Sequence, residues 1–207
     1  MTIEDSIKKG LDSYKICYDR HILQDLCTYV QEIKKWNEHI NLTGFKDTES
    51  LIKGLLYDAF FVYTFMDKES SILDMGSGAG IISIPTAIIN RGMEVFSVDK
   101  NTKKIHFQRH IKRLLGLERF HPLRERIESI KDISVDIVTA KGFGRIEDIL
   151  SKTANILKKG GKVLILKGKN DKPVEFNGFD LVGDIVYSLT DSEKIYRLFI
   201  YSREMGF

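Results

Sequence analysis

The hydrophobic pattern of the chain changes character near residue 70. Before that point, apolar residues recur at the spacing of helices that bury one face. The clearest series is Leu23, Leu26, Val30, Ile33 and Trp36. The pattern is interrupted at 41–44, and Asp47 or Thr48 is suited to cap the helix that follows. Residues 1–68 are therefore predicted to form a cap of two or three helices.

After Ser71, short β-rich runs alternate with helical patterns. The predicted strands cover 72–73, 95–98, 135–139 and 163–166, and the predicted helices cover 81–90, 102–115 and 146–157. Such alternation is typical of parallel βαβ units with helices on both faces of a sheet. Two last alternating segments, 179–189 and 195–201, have no helix between them and are expected to form an antiparallel edge. The fold class is α/β, with residues 69–207 as an open, mostly parallel core.

A glycine-rich turn joins the first predicted strand to its helix. Gly76, Gly78 and Gly80 allow a tight turn and let a ligand approach the backbone at a helix N-terminus. Asp99 closes the next strand, 25 residues after Asp74. A carboxylate at that place can accept hydrogen bonds from both ribose hydroxyls of a nucleoside. The sequence therefore predicts a nucleoside cofactor at this edge of the sheet.

The charge of the turn indicates which cofactor binds. A dinucleotide site favours G-x-G-x-x-G, but the sixth position here is Ile81. Asp74 stands before the first glycine, where it would repel a pyrophosphate and attract a cationic ligand that carries an amine. These residues favour S-adenosylmethionine over a nicotinamide or flavin cofactor. The alternative is that the glycines only tighten a strand-to-helix turn.

Further motifs accompany the glycine turn along the chain. They are Trp36-Asn37, Ile40-Asn41-Leu42-Thr43, Leu56-Tyr57-Asp58, the 74–80 turn itself, Val98-Asp99, Arg126-Ile127-Glu128, Asp136-Ile-Val-Thr-Ala-Lys141 and Leu166-Lys167-Gly168. Through these motifs the chain, over roughly residues 23 to 200, resembles the RsmG (GidB) family of 16S ribosomal RNA guanine-N7 methyltransferases. The resemblance implies a class I S-adenosylmethionine-dependent methyltransferase with a Rossmann-like sheet. It also implies a substrate, guanine N7 in 16S rRNA or the small ribosomal subunit.

The resemblance assigns further site residues by position. Gly76 and Ile81 would line the methionine side of the cofactor, Ile127 and Glu128 would flank the adenine, and Lys141 would lie near cofactor and RNA. The chain departs from the family pattern at three places. These are Ile81-Ile82-Ser83 for the usual Phe-Pro-Gly or Phe-Pro-Ser, Lys141-Gly142 for Arg-Ala, and Leu55 for a histidine.

The chemistry that this family performs needs positioning more than acid–base groups. Guanine N7 already carries an available lone pair, so proximity and orientation would supply most of the catalysis. No catalytic residue is assigned, but Asp58 and Lys141 are candidates for positioning roles. The five histidines are not accompanied by other residues in a metal-ligand pattern, and Cys17 and Cys27 lack the spacing of zinc ligands. No metal is therefore expected.

The net charge of +3 conceals two strongly basic stretches. Residues 100–126 carry +7 and residues 152–172 carry +6, while the segments between and around them are acidic. On the helix predicted over 102–115, one face carries Arg109, Lys112 and Arg113, opposite an apolar face of Phe107, Ile111, Leu114 and Leu115. Lys167 and Lys169 follow the strand predicted over 163–166. These five cations are predicted to bind RNA phosphates; the alternative is an ordinary solvated face.

Length and composition narrow the remaining possibilities. The 207 residues, 43% of them hydrophobic, are expected to form a single domain. No secretion signal and no apolar stretch of membrane-spanning length is present, so a cytoplasmic monomer without membrane contact is expected. Three alternatives remain open: a methyltransferase for another RNA, a small molecule or a protein; a noncatalytic nucleoside- or RNA-binding module; and a nicotinamide oxidoreductase.

Overall fold

The computed structural model describes residues 2–45 and 47–205. The helices are α1 (Ile3–Ser13), α2 (Arg20–Asn37), α3 (Thr48–Ile52), α4 (Asp58–Tyr63), α5 (Ser83–Ile89), α6 (Thr102–Leu115) and α7 (Ile146–Thr153). The strands are β1 (Ile72–Met75), β2 (Val95–Val98), β3 (Phe120–Leu123), β4 (Val135–Lys141), β5 (Leu157–Gly168), β6 (Phe179–Ser188) and β7 (Ile195–Arg203). A π-helical turn, Lys53–Tyr57, joins α3 to α4, and a 3₁₀ turn covers Ile127–Ser129.

The strands form one sheet in the order β3-β2-β1-β4-β5-β7-β6. The first five strands of this order are parallel, and β7 runs antiparallel to both of its neighbours. The chain moves outward from β1 in one direction and from β4 in the other, so the order reverses between these two strands. In open α/β sheets, ligands bind in the crevice at the carboxyl ends of the strands beside such a reversal. The predicted α/β sheet with an antiparallel edge is thus confirmed.

Two features of the core differ from the sequence prediction. The sequence did not predict strand β3, because the segment Phe-His-Pro-Leu shows no run of β-formers and contains Pro122. Proline is accepted there because β3 is an edge strand. The helix predicted over 146–157 ends at Thr153, since Leu157 already pairs with Val135 in the sheet. A bulge follows before pairing resumes at Lys162.

Helices cover both faces of the sheet, and the cap extends one of these layers. Leu26 and Ile33 of α2 are fully buried in the same core cluster as Ile84 of α5 and Phe107 of α6. The ring of Trp36, at the end of α2, meets Phe107 edge-on at a centroid distance of 5.4 Å. On the opposite face, α7 contributes to a second core cluster. The cap therefore packs directly on the helices that flank the glycine turn.

Local capping of the cap helices follows the sequence signals. The Asp47 side chain accepts a hydrogen bond from the Ser50 backbone N–H at 2.8 Å, as predicted for the start of α3. Asp19 caps α2 in the same way, since its side chain accepts a hydrogen bond from the Ile22 backbone N–H.

Among the described residues, no helix combines the length and the hydropathy required to cross a bilayer.

Helix α6 has the predicted bounds but a rotated buried face. Phe107 and Ile111 are buried as expected, whereas Leu114 is 49% exposed, so its placement on the apolar face was wrong. The reason is Gln108, a polar residue that is fully buried. The side of the helix that faces the core therefore includes Gln108 and leaves out Leu114. Arg109 and Arg113 are exposed and Lys112 is half-buried, which agrees with the predicted basic side.

Leu26→Ala is expected to lower the free energy of unfolding by about 2–5 kcal/mol, because it leaves a cavity in the core that the cap and sheet share. Leu114→Ala removes the same atoms from an exposed site and should change the free energy of unfolding by no more than about 0.5 kcal/mol. Denaturant unfolding of both variants measures the difference. Equal losses would contradict the placement of Leu26 in that core.

Candidate functional site

The glycine turn after β1 is bent in a way that requires its glycines. Gly76, Gly78 and Gly80 have φ angles of +68°, +61° and +77°, in the left-handed region that other residues rarely adopt. A Cβ atom at Gly76 would lie 2.4 Å from the Phe143 ring, and one at Gly80 would lie 2.6 Å from the side chain of Ile84. The backbone at Gly76 and Gly80 is therefore closely covered, and neither position has room for a side chain.

Asp74 lies beneath this turn. The carboxylate is 2% exposed; one oxygen accepts a hydrogen bond from the Ser83 N–H and the other from the Thr139 hydroxyl, both at 3.1 Å. Burial raises the pKa of Asp74 to about 6, and the hydrogen bonds from Ser83 and Thr139 oppose that rise. The side chain thus ties the start of α5 to β4, at a place below the cavity surface.

Two buried side chains that the sequence analysis missed hold the turn from the sides. Gln108 of α6 donates through Nε2 to the Gly78 carbonyl at 2.7 Å and to the Ser77 hydroxyl at 2.9 Å. Tyr29 of α2 shares its one hydroxyl proton between the carbonyls of Ala79 and Gly80, at oxygen–oxygen distances of 3.2 and 3.1 Å. Gln108 was recognisable as a polar interruption of a helical core face, but nothing local marks Tyr29.

Above the turn opens a cavity of about 500 Å³, named here the glycine-turn cavity. It lies at the carboxyl ends of β1, β2 and β4, and four of the predicted cofactor residues line it: Gly76, Asp99, Ile127 and Glu128. Phe143, which follows β4, is a further wall residue that the sequence analysis missed. A volume of this size is within the range of small-molecule and cofactor sites.

Asp99 has the geometry expected of a ribose acceptor. Its Oδ2 accepts a hydrogen bond from the Gly78 N–H at 2.9 Å, and its Oδ1 accepts one from the Asn101 N–H at 2.8 Å. Each carboxylate oxygen has a second lone pair, so both can still accept from a ligand. The carboxylate is held rigidly at the rim of the cavity.

The adenine side predicted for the cofactor also carries suitable groups. Ile127 supplies an apolar wall, and Glu128 is ion-paired with Lys152 at 2.9 Å. The hydrogen bond from Lys152 lowers the pKa of the Glu128 carboxyl. The Lys152 ammonium also lies 5.3 Å from the centroid of the Phe143 ring. Glycine backbone, a fixed acceptor and an apolar wall together fit an adenosyl group.

Other predicted cofactor residues lie next to this cavity without lining it. Gly78 and Gly80 shape the turn, and Ile81 is half-buried beside Gly78. Lys141 at the end of β4 points instead to the cap. The structure therefore brings one part of the predicted set to the cavity surface and puts the other part into the scaffold around it.

Lys141 and Asp58, the two candidates for positioning roles, form an ion pair with an Nζ–Oδ2 distance of 2.5 Å. The Lys141 ammonium also donates to the Gly54 carbonyl in the π-helical turn at 2.7 Å. Asp58 is 1% exposed, and its other oxygen accepts a hydrogen bond from the Tyr187 hydroxyl at 3.1 Å. Burial and the Asp58 carboxylate raise the pKa of Tyr187. One network thus joins the cap, the end of β4 and strand β6.

Beside this network lies a second opening of about 510 Å³, named here the tyrosine cavity after Tyr187 and Tyr196. Four lysines and one aspartate line it: Lys141, Lys167, Lys169, Lys194 and Asp58. Gly142 lines both cavities, so the two adjoin across a residue that has no side chain. The tyrosine cavity is therefore a basic pocket next to the proposed cofactor.

The predicted RNA contacts fall in two separate places. Lys167 and Lys169 line the tyrosine cavity, and the Lys167 ammonium donates to the Gly144 carbonyl. Helix α6 starts beside the glycine-turn cavity and runs away from it, so Arg113 lies about 16 Å along the helix from its first residue.

Within 2–45 and 47–205, no cluster of acidic, histidine or cysteine side chains could hold a metal ion.

Comparison with solved structures shows the fold. The structure of M. jannaschii TYW2 in complex with AdoMet superposes with a TM-score of 0.58 at 18% identity, over 73% of this chain and 75% of that one. Methanocaldococcus jannaschii Trm5 in complex with adenosine superposes with a TM-score of 0.54 at 13% identity, over 72% and 48%. The sheet order, the glycine turn and these superpositions show the fold of the class I S-adenosylmethionine-dependent methyltransferases.

Sequence comparison identifies the family. The profile of GidB, described as rRNA small subunit methyltransferase G, matches residues 22–177. Ribosomal RNA small subunit methyltransferase G of Neisseria gonorrhoeae is 36% identical over 143 residues, 69% of each chain. The protein of the same name from Syntrophotalea carbinolica is 33% identical over 170 residues, 80% of this chain and 78% of that one. The chain belongs to the rRNA small subunit methyltransferase G family.

Asp99→Ala is expected to weaken binding of S-adenosylhomocysteine about 5- to 150-fold, because a charge-assisted hydrogen-bond acceptor is lost. Isothermal titration calorimetry measures the affinity, and thermal melting shows whether the variant still folds. Asp132→Ala, at an exposed carboxylate outside the cavity, should bind as the unmodified protein does. Unchanged affinity in Asp99→Ala would contradict the ribose assignment.

The pH dependence of stability should reveal the burial of Asp74. Because the folded pKa is raised from 3.8 to about 6, the carboxyl stabilises the fold when protonated, and this contribution is lost as pH rises through 6. Relative to Asp74→Asn, the unmodified protein should lose about 2 kcal/mol of unfolding free energy between pH 4 and pH 7. Denaturant unfolding across that range tests this, and parallel curves for the two proteins would contradict it.

Proposed function

We propose that this protein transfers the methyl group of S-adenosylmethionine to N7 of a guanine in 16S rRNA. One observation carries the proposal: the glycine-turn cavity, which fits the cofactor, adjoins a basic pocket across Gly142. Family membership supports the choice of substrate, since the relatives bear the name of ribosomal RNA small subunit methyltransferase G. The basic pocket suits a polyanion better than a neutral small molecule.

The demands of this reaction match the side chains that the structure provides. When bound, S-adenosylmethionine supplies a methyl group activated by its sulfonium. The N7 lone pair needs no deprotonation, so the protein has only to bring two groups into line. Among the lining residues of the tyrosine cavity, the one carboxylate, Asp58, is paired with Lys141 and is poorly placed to serve as a free base. The side chains of the site therefore suit the positioning of two reactants better than proton transfer.

The Asp58–Lys141 pair is proposed to position the cap against the tyrosine cavity. Lys141 follows directly from β4, while Asp58 opens α4 and Gly54 belongs to the π-helical turn before it. The pair neutralises a carboxylate that would otherwise repel RNA phosphates at the pocket. The family arginine would offer a planar two-pronged donor, whereas Lys141 reaches Asp58 and Gly54 with one ammonium.

A wider RNA footprint is proposed for the exposed cations. Lys169 lies at the tyrosine cavity, and Arg109 and Arg113 extend a basic surface along α6. Such contacts with phosphates bind without reading sequence and weaken as salt rises. Lys167 and Lys112 are half-buried and would contribute less. Action on ribosomal RNA would place the protein in the cytoplasm, and we propose that it acts as a monomer.

Methyl transfer from labelled cofactor to small ribosomal subunits that lack the modification tests the function directly. We expect incorporation into 16S rRNA, with mass spectrometry placing the methyl group on N7 of a single guanine. Large subunits serve as the control substrate. A folded protein that binds S-adenosylhomocysteine but methylates no guanine in these subunits would overturn the proposal.

A double-mutant cycle separates the positioning role of the ion pair from its contribution to stability. Lys141→Met should cost about 3–5 kcal/mol of unfolding free energy, because it leaves the Asp58 charge buried without a partner. Adding Asp58→Asn should recover part of that loss. Methyl transfer should nevertheless stay well below that of the unmodified protein, since the link between the cap and β4 is absent.

The control for this cycle is an ion pair at the opposite end of the sheet. Lys158 and Asp136 are 2.9 Å apart and both are substantially exposed, so Lys158→Met should change stability by no more than about 1 kcal/mol. It should leave methyl transfer unchanged. Full activity in the Asp58→Asn/Lys141→Met protein would show that the buried pair has no positioning role.

A further inference from the structure

We propose that the tyrosine cavity is the subsite for the target nucleotide, in which the ring of Tyr196 stacks on the purine and Lys169 and Lys194 bind the neighbouring phosphates. The inference rests on the proposed function, because it names where the methyl acceptor would lie. A purine nucleotide in RNA presents the flat face of its base and the negative charge of the adjoining phosphates. A protein recognises it with an aromatic surface beside cations.

An aromatic column leads into the cavity and ends at Tyr196. The rings of Phe61 and Tyr187 stack at a centroid distance of 3.9 Å and an interplanar angle of 21°. Tyr187 and Tyr196 continue the stack at 5.6 Å and 26°. The hydroxyl of Tyr187 donates a hydrogen bond to the buried Asp58 carboxylate at 3.1 Å, which favours one orientation of the central ring. Tyr196 is therefore a preorganised platform at the end of the column, and its half-buried ring lines the cavity.

The outer side of that platform carries positive charge. The Lys194 ammonium lies 5.3 Å from the centroid of the Tyr196 ring, and Lys169 lines the same opening. Neither ammonium forms an ion pair with a carboxylate of the described residues. The Lys194 side chain is exposed, so an incoming base can displace it from the ring while its charge stays near the phosphates.

The register of the sheet places this platform beside the methyl donor. Strand β7 starts at Ile195 and runs antiparallel to β5, so Tyr196 pairs with Gly168 at the carboxyl end of β5. Gly168 has no side chain to fill the opening. On the other side, Gly142 is shared with the glycine-turn cavity and has a φ of +66°. Methyl transfer requires donor and acceptor atoms about 3–3.5 Å apart, and Gly142 is the one lining residue that the two cavities share.

Activity measurements form the first arm of the test. Tyr196→Leu keeps an apolar side chain but loses the aromatic face, and should lower methyl transfer to small subunits about ten- to hundredfold. Tyr196→Phe should remain within about threefold of the unmodified protein. Both variants should bind S-adenosylhomocysteine normally, because Tyr196 lies outside the glycine-turn cavity. Tyr63→Leu, at a half-buried tyrosine in a different opening, is the matched control and should be fully active. Full activity of Tyr196→Leu would overturn the proposal.

A binding measurement that needs no turnover forms the second arm. The chain has a single tryptophan, Trp36, so Tyr196→Trp combined with Trp36→Phe places the only tryptophan at the platform. A five-nucleotide RNA with a central guanine should quench its fluorescence saturably in the presence of S-adenosylhomocysteine. The same tryptophan at position 63 should show no saturable quenching. Lys169→Ala and Lys194→Ala, introduced together, should raise the RNA concentration needed and flatten its salt dependence.

The two arms separate the subsite from the proposed function. Absence of guanine methylation by the unmodified protein would refute the function, while saturable quenching at position 196 would still support a nucleotide subsite. Equal responses from tryptophan at positions 196 and 63 would overturn the subsite even if the protein methylates rRNA.

Discussion

The structure depends on one constraint: the backbone of the glycine turn has to be held without a regular hydrogen-bonding ladder. Residues 76–80 follow a strand and precede a helix, so several of their polar groups have no partner within either element. The partners come from distant parts of the chain: Tyr29 in the cap, Gln108 in α6 and Asp99 after β2. A buried polar group left without such a partner would cost free energy, so the turn determines which side chains surround it.

This constraint gives the cap its place in the fold. Helix α2 contributes Tyr29 to the turn and also packs through Leu26 and Ile33 into the core around α5 and α6. At the other end of the cap, Asp58 binds Lys141 after β4. The cap thus touches the site at two points, below the cofactor and beside the tyrosine cavity. Between these points, the carboxyl ends of β1 and β4 carry the two cavities that Gly142 joins.

Charge is arranged differently from what its distribution along the chain suggests. The two basic stretches are similar in net charge, yet only Lys167 and Lys169 of the five predicted RNA contacts line a cavity. On α6, Lys104 lines the glycine-turn cavity near the start of the helix, whereas Arg109, Lys112 and Arg113 lie farther along the helix and outside that cavity. In the second stretch, Lys158 pairs with Asp136 at the amino end of the sheet, because β5 is long enough to separate its two ends. The cavity also gains Lys194, which belongs to neither stretch.

Several errors of the sequence analysis share one cause. Gln108 is buried because Ser77 and Gly78 need its amide, and this rotates α6 so that Leu114 faces solvent. Strand β3 forms from a segment with little β character because β2 offers it an edge. Asp74 accepts hydrogen bonds from Ser83 and Thr139, two contacts that the sequence did not indicate. In each case a partner remote in sequence decided the outcome, and hydrophobic periodicity carries no information about such partners.

The sequence by itself determined the alternating α/β pattern, the turn at Gly76, Gly78 and Gly80, the position of Asp99 after the second strand, and the family. These rest on local properties: side-chain periodicity, positive φ angles and residue spacing along adjoining elements. Only the tertiary structure decided that Asp58 and Lys141 bind each other, and that Tyr187 and Tyr196 stack beside them. Those contacts join segments more than 80 residues apart, or depend on the register of β6 against β7. Such distances and registers follow from how the layers pack on one another, which no local pattern specifies.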